Sequence, residues 1–294
     1  MEEHFENSVI FKEYERCLKA FDVDDPYKTE STLGIHDVLR AHFLIVDAFY
    51  SMGTGLGGIG PRDNNLLHSA VYRQFVSFGG KDKWKDNFEK AATLIYGVIC
   101  DHPFHDANKR TGLLLLLLFL RKQNRAPTLR HRQLEDFAVD VSNHNLQKYR
   151  RFRKLRKRYE DAEVLFIADY MKRHSRIPQG GYKRITYRQL NQRLNELGYK
   201  LDNPRNNFID LVRIEERRRL LGFGRKESMD VKVAQIGFPG WKKQVNPGAI
   251  STIRKKAKLK KEHGVDSGTF YEGLDPIPPL LAEYSNPLER LADR

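Results

Sequence analysis

The chain has 294 residues, 40% hydrophobic and 31% charged, with two cysteines and a formal net charge of +14. That length is enough for two domains with buried cores. Two cysteines, Cys17 and Cys100, exclude a disulfide framework and point to a reducing compartment, the cytoplasm. The acidic start Met1-Glu2-Glu3-His4 has no secretory character. The apolar run Leu113 to Leu120 is too short to span a bilayer, so no membrane partner is expected. Residues 1–147 hold 18 Lys/Arg and 20 Asp/Glu, whereas residues 148–294 hold 34 and 18, a net of −2 against +16. Such asymmetry implies two functional units, the second with a polyanionic partner.

In chain order, Ile10, Tyr14, Cys17, Leu18 and Phe21 mark an amphipathic helix in an N-terminal extension, residues 1–30. A second helical stripe runs from Ile35 through Val38, Leu39, His42, Phe43 and Val46 to Tyr50. Its histidine, like His68 further on, reads as a packing residue. Gly53 to Asn65 is a Gly-rich loop, and Asn64 to Phe78 a helix followed by an extended stretch. Phe88, Ala91, Ala92, Ile95, Val98 and Ile99 line one helical face, and Leu113 to Leu120 is apolar all round, as a buried central helix would be.

Between these two segments lies His102-Pro103-Phe104-His105-Asp106-Ala107-Asn108-Lys109-Arg110-Thr111-Gly112. It reads as a loop feeding the N-terminus of the central helix, where unpaired N–H groups and the helix dipole favour an anion. With Asn108, Lys109 and Arg110 there, the expected anion is a polyphosphate. Asp106 offers a carboxylate to Mg²⁺, a hard cation that shares its shell with phosphate oxygens. His102 offers an imidazole to accept the proton of an incoming hydroxyl. His102 with His105 does not make a zinc site, since no further ligands stand at a familiar spacing.

Leu134, Phe137, Ala138 and Val141 close a domain spanning 31–147 as its last helix. Lys148 to Arg158 carries eight basic residues in eleven and reads as a basic amphipathic helix running on toward Tyr170. Ser175 to Tyr182 is the linker, completing a 148–182 segment. In 183–273, Thr186 and Gln189 form a capping box, and Asn203-Pro204 opens a second helix through Leu211 and Val212 to Leu221. Val231 and Val233 alternate as a short strand, and Asn246-Pro247 opens a third helix bearing six basic residues from Arg254 to Lys261. Two helices joined by a tight turn, with a basic third, suggest a helix-turn-helix-like module for nucleic acid. The Pro-rich tail, 274–294, reads as an extended arm. The expected fold class is mainly α: a helical bundle plus a basic, mostly helical second domain with a short strand.

The block His102 to Thr111 resembles the signature of the Fic/Doc family, and Asp106 to Thr111 its Doc (death-on-curing) branch. The upstream run Gly57-Gly58-Ile59-Gly60-Pro61-Arg62-Asp63 is similar to a second block of that branch. The resemblance covers roughly residues 33–146. It implies a Fic/Doc-like helical fold in which His102 is general base and Asp106 binds Mg²⁺. Asn108, Lys109 and Arg110 would hold the phosphates of ATP, and Phe104 would anchor the loop. It also implies a flap that positions the target side chain, for which Val76-Ser77-Phe78 is the candidate. Lys109 stands where AMP-transferring relatives carry Gly, as in the Doc branch, where the γ-phosphate moves to a Ser or Thr hydroxyl. AMP transfer is the alternative activity, and an inactive scaffold acting as a nucleic-acid-binding regulator the alternative class. The implied partners are a target protein such as a translation factor or GTPase, and a separate antitoxin.

Overall fold

The computed structural model describes residues 5–21, 24–29, 31–50, 58–177, 185–217, 227–260, 270–271, 275–292 and 294. The chain divides into two compact units, residues 1–178 with 284–294, and residues 179–283. The fold is mainly helical, and the second unit contains a small β-sheet. No helix among the described residues is long and apolar enough to cross a membrane.

The first unit is a helical assembly around one buried helix. Its elements are α1 (Ser8–Leu18), α2 (Ile35–Tyr50), α3 (Asn64–Tyr72), α4 (Asn87–Cys100), α5 (Asn108–Lys122) and α6 (His131–Ser142). Asn7, Asp63 and Asp86 cap α1, α3 and α4 with their side chains, each satisfying orphan N–H groups of a first turn. Every residue of α5 from Arg110 to Phe119 is buried, so the helix is surrounded as its all-apolar sequence requires. Gly112 permits this: a Cβ there would meet Cγ1 of Ile99 at 2.3 Å. Between α3 and α4 a short hairpin, β1 (Ser77–Phe78) with β2 (Lys81–Asp82), turns at Gly79-Gly80, both at positive φ. This hairpin contains Ser77 and Phe78 of the flap candidate, with Val76 just ahead of it, and Phe78 is 69% exposed.

The basic segment is not one continuous helix. It forms α7 (Arg150–Arg156) and α8 (Ala162–Arg173), separated by residues 157–161. Phe152 and Phe166 meet at 5.8 Å between ring centroids, which requires the chain to fold back, and Lys83 holds Asp161 of the connection at 2.8 Å. After α8, β4 (Ser175–Arg176) pairs with β3 (Ala126–Pro127), so the start of the expected linker is a strand. The rest of that linker, 178–184, lies outside the described residues, as do residues 51–57 of the Gly-rich loop.

In the second unit α9 (Tyr187–Glu196) begins at the expected capping box of Thr186 with Gln189. The expected helix after Asn203-Pro204 is instead sheet. Strands β5 (Tyr199–Arg205), β6 (Phe208–Arg217) and β7 (Glu227–Gly237) form an antiparallel meander. Asn206 and Asn207, both at positive φ, form the two-residue hairpin turn whose twist suits flanking strands. Asn203, also at positive φ, sits at a register shift between Asp202 and Arg205, where Pro204 is tolerated. With β6 in place of the second helix, no helix-turn-helix is present among the described residues. Asn246 caps α10 (Pro247–Lys256) as expected. Leu190, Leu194, Leu201, Ile209, Leu211, Ile236, Ile250 and Ile253 share one core, joining α9 and α10 to the sheet. Leu221, expected as a helix end, and Lys261 of the third helix lie outside the described residues.

The Pro-rich tail is helical rather than extended: α11 (Ile277–Glu283) ends the second unit and α12 (Ser285–Arg290) returns to the first. Pro278, Pro279 and Pro287 fall in first turns, where a missing N–H costs nothing, and Pro276 precedes the first of these helices. Asp275 Oδ1 accepts the Ile277 N–H at 2.9 Å, completing that start. In the first unit Arg290 donates to the fully buried Glu135 at 2.7 Å, and Arg294 and Arg132 join the same carboxylate. Burial pushes that carboxyl up, but hydrogen bonds from Arg290 and Arg294 outweigh it and hold it below its ordinary value.

Candidate functional site

The two sequence blocks meet in space. Pro61 and Phe104 form an antiparallel bridge; Arg62 N–H donates to Pro103 O at 2.8 Å and His105 N–H to Gly60 O at 3.2 Å. Gly60 has φ +79°, and a Cβ there would lie 3.2 Å from the Phe43 ring. The upstream glycine run is therefore the second strand of the loop's support. The described part of that run begins at Gly58.

Within the loop, Phe104 is 1% exposed and points into the core. Asn108 also faces inward. Its Oδ1 accepts the Phe104 N–H and its Nδ2 donates to Phe104 O, both at 3.0 Å. Its carboxamide thus spends its strongest groups on bracing the loop. His102 and Ala107 adopt positive φ, 50° and 59°, a strained backbone for residues other than glycine. These two positions reverse the chain before and after Phe104, leaving His102 and His105 exposed while Phe104 stays buried.

At the helix start, Asp106 Oδ1 accepts the Ala107 N–H, and its Oδ2 lies 3.8 Å from Arg110 Nη2. Arg110 is 2% exposed, its guanidinium 5.3 Å from the centre of the Phe49 ring. Lys109 is half-buried and makes no hydrogen bond or ion pair among the described residues. Burial lowers its pKa, Asp106 opposes that, and Arg110 and Arg294 add to the lowering. The first turn of α5 thus presents N–H groups without intrahelical acceptors and a net positive field around one uncommitted ammonium. Asp106 is half-exposed beside them and suits Mg²⁺, which takes one or two carboxylates together with phosphate oxygens. No group of three or more His, Cys, Asp or Glu among the described residues is placed to hold a metal by itself.

Two further residues act on this loop. His42 of α2 is fully buried, stacked on the Phe104 ring at 3.7 Å, with Nδ1 3.2 Å from Thr111 Oγ1. Burial, then Arg110 and His105, push its pKa down to about 3. Packing was the expected role, and packing it is, but against the motif itself. An imidazole inside an otherwise apolar stripe was the available signal, because a buried polar group needs a partner. Arg73, just ahead of the hairpin, pairs with Asp101 next to His102, and its carbonyl accepts the Trp84 indole N–H at 2.6 Å. Nothing in the local sequence marks that link.

A helical domain with a basic helix N-terminus and an exposed histidine loop is the class this geometry defines. Residues 32–120 match the Fic/DOC family model, which covers α2 through nearly all of α5. No curated protein and no solved structure matches the chain.

Proposed function

We propose that the chain is a Doc-like, toxin-type transferase that moves the γ-phosphate of ATP onto a Ser or Thr hydroxyl of a target protein. The observation that carries this reading is Lys109: an uncommitted, half-buried ammonium at the N-terminus of α5, where anionic ligands are favoured. Lys109 and the first-turn N–H groups would hold the phosphates, with Arg110 contributing charge from below and Asn108 keeping the loop in shape. Mg²⁺, held by Asp106 and the nucleotide, would neutralise charge on the transferring group. His102 would take the hydroxyl proton as the hydroxyl oxygen bonds to the γ-phosphorus and the bond to the β–γ bridging oxygen breaks, releasing ADP. Such chemistry rests on positioning and charge neutralisation more than on covalent participation. The hairpin β1–β2 would place the target, a translation factor or GTPase in keeping with the resemblance, and a separate antitoxin would restrain the enzyme.

The test is incubation of the full chain with cell lysate, Mg²⁺ and ATP labelled at the α or the γ position, beside His102→Ala. A γ-label on protein that His102→Ala abolishes supports the reading. An α-label instead establishes AMP transfer, and no label from either position favours a binding scaffold.

A further inference from the structure

Five cations on and just beyond α7 have no counter-ion. Arg150, Lys154, Arg156, Lys157 and Arg158 are exposed, and none makes a side-chain hydrogen bond or ion pair among the described residues. Their basic neighbours differ. Lys148 is paired with Asp140 at 2.6 Å and Arg151 with Asp169 at 3.3 Å, while Arg153 donates to the carbonyls of Gln147 and Lys148. With Phe152 fixed in the core, helical spacing places Arg150, Lys154 and Lys157 on the opposite, outward side. They form a stripe of roughly 10 Å at about 1.5 Å rise per residue.

The stripe runs beside a cleft of about 500 Å³ whose lining includes Trp84, Lys85, Arg151, Leu155, Arg158 and Tyr159. Three of its cations are neutralised, Lys83 by Asp161, Lys172 by Asp86 and Arg151 by Asp169. Lys85 and Arg158 are not. Tyr159 stands 50% exposed in this lining, and Trp84 is its buried aromatic member. Glu89 and Glu160 are the remaining acids there. An acidic protein segment would be served by cations alone. A track of unpaired cations leading to an exposed aromatic ring and a partly apolar recess fits a strand of phosphates with unstacked bases.

We propose that the outward face of α7 and this cleft bind single-stranded nucleic acid, with phosphates on Arg150, Lys154, Lys157 and Arg158 and a base against Tyr159. This site lies in the first unit, independent of the transfer reaction, and differs from the basic α10 that the sequence singles out.

The experiment is fluorescence anisotropy of the full chain with labelled oligo(U) and oligo(dT) of about 12 nucleotides, between about 50 and 300 mM KCl. The variant Arg150→Gln/Lys154→Gln/Lys157→Gln/Arg158→Gln is compared with Lys243→Gln/Lys255→Gln/Lys256→Gln/Lys258→Gln, which removes the same charge from exposed residues of the second unit. The α7 variant should lose at least about tenfold in affinity near 150 mM salt. Its log–log salt slope should be shallower by about 2–3, at about 0.7 for each phosphate that is no longer neutralised; the second variant should bind like wild type. Circular dichroism melting checks that both are folded, and Tyr159→Ala, which leaves the charges in place, should weaken binding to single strands but not to duplex. Equal losses from the two charge variants, or no loss from the first, would overturn the proposal. So would displacement of the oligonucleotide by poly-glutamate at equal charge concentration, since the surface would then be one for acidic protein. Preference between oligo(U) and oligo(dT) separates RNA from DNA as the source of the strand.

Discussion

The imidazole of His42 lies flat against the ring of Phe104, their centroids 3.7 Å and their planes 8° apart. On the same imidazole, Nδ1 reaches Thr111 Oγ1, so one side chain from α2 touches both the loop before α5 and the first turn of α5. Asn108 closes the same short span from within by bonding the backbone of Phe104 on both sides. The loop is therefore set by contacts that never face solvent.

Those contacts make His42 a source of pH-dependent stability. In the unfolded chain it gains a proton near pH 6.5, whereas in the folded chain its pKa is about 3. A depressed folded pKa means stability that is complete above about pH 6.5 and is lost as pH falls toward about 3, by up to about 1.4 kcal/mol per pH unit. Denaturant unfolding of His42→Leu at a series of pH values should show a lower stability at pH 7.5 but a shallower decline between pH 6.5 and 4. Parallel curves for the two proteins would mean that His42 is protonated when folded.

His102 contributes to the loop through its backbone, while its exposed side chain makes no hydrogen bond or ion pair among the described residues. His102→Ala should leave the melting temperature within about a degree or two of wild type, as surface changes usually stay within about 0.5 kcal/mol. Label transfer should fall by about 10²–10⁴-fold, the usual worth of a general base. Transfer at the wild-type rate would remove His102 from the mechanism.

Lys109→Gly separates the donor phosphates within one scaffold. Loss of the uncommitted ammonium should raise the KM for ATP and reduce γ-phosphate transfer by about tenfold or more, a charge-assisted hydrogen bond being worth about 1.5–3 kcal/mol. Steady-state kinetics with γ-labelled ATP reads this directly. An unchanged KM would mean that the phosphates lie elsewhere.

Most helices of the first unit were legible from their apolar spacing, and the caps that the structure shows add a signal the sequence also carried. Asn7, Asp63 and Asp86 stand where a first turn needs an acceptor, and the leucine run could only be a surrounded helix. The site loop stood out in the sequence as a cluster of polar and charged residues ahead of an apolar helix, but its geometry did not. Sequence alone does not say that Asn108 turns inward or that Arg110 is buried under Phe49, because both follow from long-range packing. The second unit was misread at one dipeptide. Asn203-Pro204 suits a helix start, yet asparagine also tolerates positive φ; Asn203 takes it at a register shift within β5, and Asn206 and Asn207 take it in the hairpin turn. The β-branched Ile209, Val212 and Ile214 favour a strand, and that signal was available.

The hairpin turn offers a stabilising change. Asn206 and Asn207 both hold positive φ between β5 and β6, and glycine at the second position is the preferred residue for this turn. Asn207→Gly should raise stability by about 0.4–1 kcal/mol, relieving strain at a residue whose carboxamide is exposed. Thermal melting of the full chain carrying Trp84→Phe, so that Trp241 in the second unit is the fluorescent reporter, reports it. A lower midpoint would show that the Asn207 side chain itself secures the turn.

The boundary of the second unit also decides which fragment folds. A cut at residue 148, suggested by the change in charge, would carry α7 and α8 away from their packing partners. Phe166 and Tyr170 pack against Phe137 of α6, and Phe152 against Phe166, so a 148–294 fragment would expose an aromatic face. Residues 179–283 instead keep their own core, with Leu190, Leu211, Ile236 and Ile253 among its members. The 179–283 fragment should therefore be monodisperse and unfold in one cooperative step in urea, while 148–294 should bind a hydrophobic dye such as ANS and self-associate on gel filtration. If 148–294 is monomeric without dye binding, α7 and α8 do not depend on α6 for burial. A non-cooperative 179–283 fragment would mean that the second unit needs the first in order to fold.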